Sequence, residues 1–287
     1  MLAIYKKELK SYFTSMIGYV FIAFFLVIVG IYFVVYNLIN QYANFEYVLS
    51  GVSFIFVLLV PILTMRLMAE DKRQKTDQLL FTSPLSIGKI IAGKFFAVFT
   101  VFLIAMAVIC AYPLILLQFG AVPLKIAYAS ILGFSLLGGA YIALGLFISA
   151  LTESQLVAAV ISFVAILITA LMDSLVNLLP SDNRTAFMIF TIIVILLCWL
   201  IYSMIHNLTV TLSIGILAEI GLAAMYFIKA TLFDGLVARF FSWFSVIARF
   251  DKFISGILDL SSIIYYISVI FIFLFITVQA IKKRRWN

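Results

Sequence analysis

Met68-Ala-Glu-Asp-Lys-Arg-Gln-Lys-Thr-Asp-Gln-Leu-Leu-Phe-Thr-Ser-Pro-Leu-Ser86 is the one large charged break in an otherwise apolar chain. A segment long enough to cross a bilayer lies on either side of it, so the break reads as a loop at one membrane face. No other internal loop concentrates so many polar residues. The stretch favours helix until Pro84, whose missing N–H stops one. Leu79, Leu80 and Phe81 give it an apolar edge among charges. A short helix over 70–86 is expected, with a surface suited to docking a soluble protein.

Outward from this loop, the composition fixes the class. The 287 residues are 66% hydrophobic and 11% charged, with a mean hydropathy of +1.25. Ordinary globular chains carry roughly 25% charged and 45–50% apolar residues. Apolar runs of about 20 residues, the length that crosses a hydrocarbon core, recur throughout. They are uniformly apolar and lack the two-residue alternation of a membrane barrel. The fold expected is therefore an all-α polytopic membrane protein, one transmembrane domain over 1–287.

Spans are expected at 17–39, 51–69, 94–118, 127–150, 155–178, 186–206, 208–229 and 262–281. That is about eight, with six plus a re-entrant pair over 186–229 as the alternative. Residues 1–15 place Leu2, Tyr5, Leu9, Tyr12 or Phe13, and Met16 on one helical face, with Lys6, Lys7 and Lys10 elsewhere. This predicts an amphipathic helix in the headgroup region. The apolar run after it is far longer than a signal-peptide core, so the first span is expected to remain as an anchor. In 230–260, Arg239, Ser242, Ser245, Arg249, Lys252 and Ser255 recur every three or four residues. They predict one or two outer interfacial helices before the last span; ordinary helices packed over the bundle end are the plainer alternative.

Orientation follows the excess of Lys and Arg on cytoplasmic loops. With the N-terminus inside, the cytoplasmic face receives Lys6, Lys7, Lys10, Arg66, Lys72, Arg73, Lys75, Lys89, Lys94, Lys282, Lys283, Arg284 and Arg285. Lys125, Arg184, Lys229, Arg239, Arg249 and Lys252 remain outside. Both termini are thus expected in the cytoplasm. The bases flank spans and form no nucleic-acid patch, so the expected surroundings are lipid and protein.

Gly88-Lys-Ile-Ile-Ala-Gly-Lys94 satisfies the spacing of a phosphate-binding loop. Phe95 stands where the Mg-binding Ser or Thr belongs, and no strand precedes it. Lys89 and Lys94 read instead as surface anchors of the next span, and ATP is expected on another chain. Cys110 and Cys198 lie in apolar spans without disulfide or metal spacing. His206 is the only histidine, and Asp71, Asp77 and Glu153 are scattered, so neither a catalytic site nor a metal or cofactor on this chain is expected. Glu219 falls near the middle of 208–229, where an ionised side chain costs at least about 2.5 kcal/mol. It either lines a path or gate, or is protonated or hydrogen-bonded within the bundle. Ser135, Gly139 and Ala143 form a small-residue ladder, fit for a dimer seam or for packing inside the bundle. Thr152-Glu-Ser-Gln155 reads as a capping box opening the next span.

Ile4-Tyr-Lys-Lys-Glu-Leu-Lys-Ser-Tyr-Phe13, Gly18-Tyr-Val-Phe21 and Gly30-Ile-Tyr-Phe33 resemble the elbow helix and first span of ABC-2-type (type V) ABC transporter permeases, in particular the gliding-motility type. Glu70 to Ser86 resembles that family's coupling helix. Gly256-Ile-Leu-Asp-Leu-Ser-Ser262 and Arg284-Arg-Trp286 resemble its closing signature. The resemblance implies a permease dimerised with itself or a sister permease and served by two copies of an ATP-binding subunit carrying the ATP and Mg. It implies contact with that subunit through Glu70, Arg73, Thr76, Gln78, Leu79, Leu80, Phe81 and Pro84. An accessory extracytoplasmic protein is a further candidate partner. Lys75 stands where the family usually has Gly, a change that would favour helix, and Gln78 where it usually has Glu. Nothing suggests a binding-protein dock, so export is expected over import, from a bacterial cytoplasmic membrane. A non-transporting ABC-linked scaffold or sensor is the alternative function. The few polar residues in the spans lean toward a lipid-like or amphipathic cargo.

Overall fold

The structure, a computed structural model, describes residues 1–76, 85–178, 182–205, 208–228 and 233–286. All the regular structure among them is helical. Among the described residues, six helices are long and apolar enough to cross a membrane: Ile17–Ile39, Glu46–Arg73, Ile87–Leu116, Leu124–Leu151, Gln155–Val176 and Leu260–Lys283. This is the all-α polytopic membrane fold expected, with 186–229 the stretch for which a pair was the stated alternative. Two further helices, Asn183–Ile205 and Leu208–Ile228, hold the apolar stretches Asn183–Leu196 and Leu212–Phe227.

Two compact units form, one of Met1–Ala170 with Val246–Asn287 and one of Leu171–Ser245. The first opens with α1 (Leu2–Thr14) and α2 (Ile17–Phe33), which a π-helical turn extends through Val34–Ile39. Met16 joins α1 and α2 in the left-handed region at φ 60°. The next span is built from α3 (Glu46–Val52), a 3-10 turn, α4 (Phe56–Thr64) and α5 (Arg66–Arg73). Then come α6 (Ile87–Ile109), the short α7 (Tyr112–Leu116), α8 (Leu124–Leu151) and α9 (Gln155–Leu178), whose residues from Leu171 on fall in the second unit. The second unit holds α10 (Asn183–Ile205), α11 (Leu208–Ile228) and α12 (Leu236–Ser242). The chain closes with α13 (Asp251–Ile254) and α14 (Leu260–Trp286) in the first unit.

Helix α8 is the hub of the first unit, with α3, α4, α5, α6, α13 and α14 packed around it. Its small residues permit this, because lipid supplies no hydrophobic drive and close packing must do so instead. A Cβ on Gly139 would lie 3.1 Å from Phe99 on one side and 3.2 Å from Ile270 on the other. Ala143 is fully buried, and Ser135 donates to the Ile131 carbonyl of its own helix at 2.8 Å. The ladder at Gly139 thus meets neighbours within the chain. Phe25, Phe56, Phe102 and Phe134 form an aromatic cluster beside it, with ring centroids 4.6 to 6.4 Å apart.

The stretch 230–260 departs from a continuous polar stripe. Phe250 and Phe253 are fully buried, and Phe250 packs edge-on to Phe134 with centroids 5.7 Å apart. Val246, Phe250 and Phe253 repeat the same three-to-four spacing one position after Ser245, Arg249 and Lys252, and this buried face packs 246–256 over the bundle end. Arg249 stacks over the Tyr265 ring at 4.5 Å, and Lys252 pairs with Asp259 at 2.6 Å. A second adjustment concerns 152–155. The Val157 amide donates to Ser154 Oγ at 3.4 Å, so Ser154 caps α9 and Thr152 instead accepts from the Ser154 amide.

Candidate coupling site

The charged break leaves the bundle at the end of α5, where α1, α6 and the end of α8 converge. Close approach begins at Gly93: a Cβ there would sit 3.2 Å from the Met1 carbonyl oxygen and 3.2 Å from Ile4 Cγ2. With that space left free, α1 crosses α6 and presents Ile4, Glu8 and Tyr12 as its buried stripe. This shifts the expected apolar face by one position. Leu2 and Met16 are exposed, while Tyr5, Leu9 and Phe13 flank the stripe half-buried.

Lys94 follows Gly93 into the same contact, and it is 1% exposed. Its ammonium donates to Glu8 Oε1 at 2.9 Å and to the Leu67 carbonyl at 2.7 Å, and it lies 2.6 Å from Asp71 Oδ2. The ammonium thus makes two hydrogen bonds and a further ion pair, in which Asp71 Oδ2 receives charge but no hydrogen bond. The expectation that Lys94 is a surface anchor is therefore corrected. Burial of a cation is tolerated here because two carboxylates and a carbonyl enclose it. The phosphate-loop spacing is likewise helical from Ile87 onward, and its lysine is consumed by these contacts.

The start of α5 is held as tightly. Pro61 lies inside α4, and the helix breaks at Met65. Fully buried Ser149 of α8 spans the break, donating to the Met65 carbonyl at 2.9 Å and accepting from the Met68 and Ala69 amides at 3.1 and 3.2 Å. Lys72, also buried, donates to the Ala150 carbonyl in the last turn of α8, where the helix dipole favours a cation. Arg66 donates to Ser15 Oγ at 3.0 Å and Ser11 Oγ at 2.9 Å, and its guanidinium lies over the Tyr12 ring at 5.2 Å. The Tyr12 hydroxyl donates to the Leu63 carbonyl at 2.8 Å, and burial pushes its pKa up, so it stays a donor.

These contacts relocate part of the expected coupling helix. Glu70 and Arg73 belong to the last turn of α5, continuous with the span, and not to a separate helix over 70–86. Glu70 accepts from Gln74 Nε2 at 3.0 Å and lies 3.6 Å from Arg66; Arg73 is exposed. Thr76 Oγ1 donates into Asp71, 3.1 Å from Oδ1. Lys75 adopts φ 56°, left-handed backbone that glycine enters freely and other residues enter at a cost. Helix propensity is thus irrelevant at Lys75, and a glycine at this position has a conformational reason. Gln78, Leu79, Leu80, Phe81 and Pro84 lie outside the described residues, as does His206.

Sequence reasoning missed Glu8, Arg66, Asp71, Lys94 and Ser149 as one assembly. The available signal was a lysine embedded in Ile90-Ile-Ala-Gly-Lys-Phe-Phe96, with acids placed among the bases of α1 and α5.

Glu219 stands in the second unit, where α10 and α11 pack together. A Cβ on Gly215 would approach Cys198 Sγ to 2.8 Å, so the two helices are close there. Thr191 Oγ1 donates to Glu219 Oε2 at 3.4 Å, while Oε1 is buried and receives no hydrogen bond. Beside it opens a cleft of about 390 Å³ lined by Val194, Ile195, Cys198, Leu212, Gly215, Ile216, Glu219 and Ile220.

Comparison with known families matches residues 35–228, well over half of the chain, to the ABC-2 family transporter protein. Neither the curated proteins nor the solved structures contain a match. The chain belongs to the ABC-2 family, as the multi-pass permease component of an ABC transporter that works with an ATP-binding subunit.

Proposed function

We propose that this permease is one half of an ATP-driven exporter of the gliding-motility type, paired with itself or a sister permease and driven by two ATP-binding subunits docked on the 70–86 region. The observation that carries the reading is the bracing of the loop's base. Lys94 ties α5 to α1, Ser149 and Lys72 tie it to α8, and Arg66 ties it to the elbow between α1 and α2. A force applied beyond Arg73 therefore meets a joint linked to the elbow and to the hub helix. It would move those helices before it bent the loop base alone.

The loop, Lys6, Lys7 and Lys10 on α1, and the basic end of α14 face the cytoplasm in this reading, as the distribution of bases favours. ATP and its Mg sit on the partner subunit. Leu79, Leu80 and Phe81 serve as the apolar anchors of docking, and charges such as Arg73 set orientation and partner choice. Co-purification of the ATP-binding subunit tests this. Leu80→Ala or Phe81→Ala should weaken its recovery by roughly 2 kcal/mol or more of interface energy while the permease still inserts. Unchanged recovery with both variants would reject docking through this edge.

A further inference from the structure

We propose that the α10–α11 cleft is a binding site for a cationic amphiphile, a protonated amine carrying an alkyl or aryl body, with Glu219 as its counter-ion. This deepens the export reading by naming a cargo class, and rests on that reading only for the word cargo.

Two observations in the second unit converge. The first is the lining: apart from Glu219, the cleft presents Val194, Ile195, Leu212, Ile216 and Ile220 with Cys198 and Gly215, surfaces that attract an apolar body. Its volume of about 390 Å³ lies within the range typical of small-molecule sites. The second is the carboxylate. One oxygen is held by Thr191, the other is buried and accepts nothing. A buried acceptor without a donor carries a penalty that a ligand donor removes. An ammonium supplies both the missing donor and the opposite charge. A fatty acid brings like charge against Glu219, and an alcohol supplies a hydrogen bond without the charge. The chemistry therefore ranks amine over alcohol over carboxylate at equal chain length.

Cys198 lines the cleft and offers a direct reading of occupancy. In a Cys110→Ser background it is the sole remaining thiol. The experiment follows N-ethylmaleimide labelling of Cys198 in the purified permease with its ATP-binding subunit in nanodiscs, titrated with dodecylamine, dodecanol or dodecanoate. Dodecylamine should slow labelling at the lowest concentration. Glu219→Gln should raise its half-protecting concentration roughly ten- to a hundred-fold, the loss of one charged hydrogen bond. Ile216→Trp, which fills the cleft and keeps the carboxylate, should abolish ligand-dependent protection.

Equal protection by all three compounds would overturn the proposal, as would none by dodecylamine. The three-compound comparison needs no variant, so it decides even where a substitution disturbs assembly. Binding is read without ATP. Protection without ATP-dependent movement of dodecylamine would keep the site and reject its role in carrying cargo, whereas ATP-driven transport of other cargo without protection would keep export and reject the site.

Discussion

The Lys94 ammonium lies 2.6 Å from the Asp71 carboxylate although the two residues belong to different helices separated by the charged break. The contact joins α5 to α6 across the break through an ion pair that also holds Glu8. Removing the lysine would leave the buried Glu8 and half-buried Asp71 carboxylates without the ammonium between them. Lys94→Met should therefore destabilise the solubilised permease by about 3–5 kcal/mol, read as a lower thermal midpoint. Combining it with Glu8→Gln and Asp71→Asn should recover most of the loss. A single variant as stable as the parent would show that the cluster contributes little.

Ser149 makes a second, independent joint. Ser149→Ala deprives the Met68 and Ala69 amides of their acceptor and the Met65 carbonyl of a donor. Buried backbone groups left unpaired cost about 1–3 kcal/mol. Faster hydrogen exchange at these two amides, with the rest of α8 unchanged, is the expected signature.

Lys75 should respond in the opposite direction. Its φ of 56° disfavours any side chain by about 1–2 kcal/mol relative to glycine. Lys75→Gly should preserve or raise the thermal midpoint and leave recovery of the ATP-binding subunit intact, whereas Lys75→Val should lower the midpoint.

At the other end of the bundle, Lys252 and the Ser261 amide hold the Asp259 carboxyl down at about 2 from an ordinary 3.8. The folded-state value is depressed, so the pair's contribution is fully present above the ordinary value and is lost as pH falls toward 2. A carboxyl-carbon NMR titration should put the Asp259 midpoint near 2, and Lys252→Ala should move it up toward 3.8. An ordinary midpoint in the parent would contradict the pairing.

Much of this architecture was legible in the chain. The spans starting at Ile17, Leu124 and Gln155 were readable because long apolar runs have few alternatives. The elbow helix was readable too, but its buried stripe was displaced by one residue, since Glu8 counts as polar until Lys94 is known to meet it. Lys94 itself lies close to a predicted span end, where a lysine ordinarily extends to the headgroups. Only the crossing of α1 over Gly93 distinguishes burial from that. The stripe from Arg239 to Ser255 was regular in charge, yet Phe250 and Phe253 decided where the chain packs. Glu219 was conspicuous as a charge in an apolar helix. Its half-satisfied state depended on Thr191, 28 residues away on another helix.

Docking through 70–86 is the central claim, and photo-crosslinking in intact cells tests it most directly. A photoreactive residue at Leu80 should yield an adduct with the ATP-binding subunit, and the same residue at Lys252 should yield none. An adduct from Lys252, or none from any position between Glu70 and Ser86, would contradict the account.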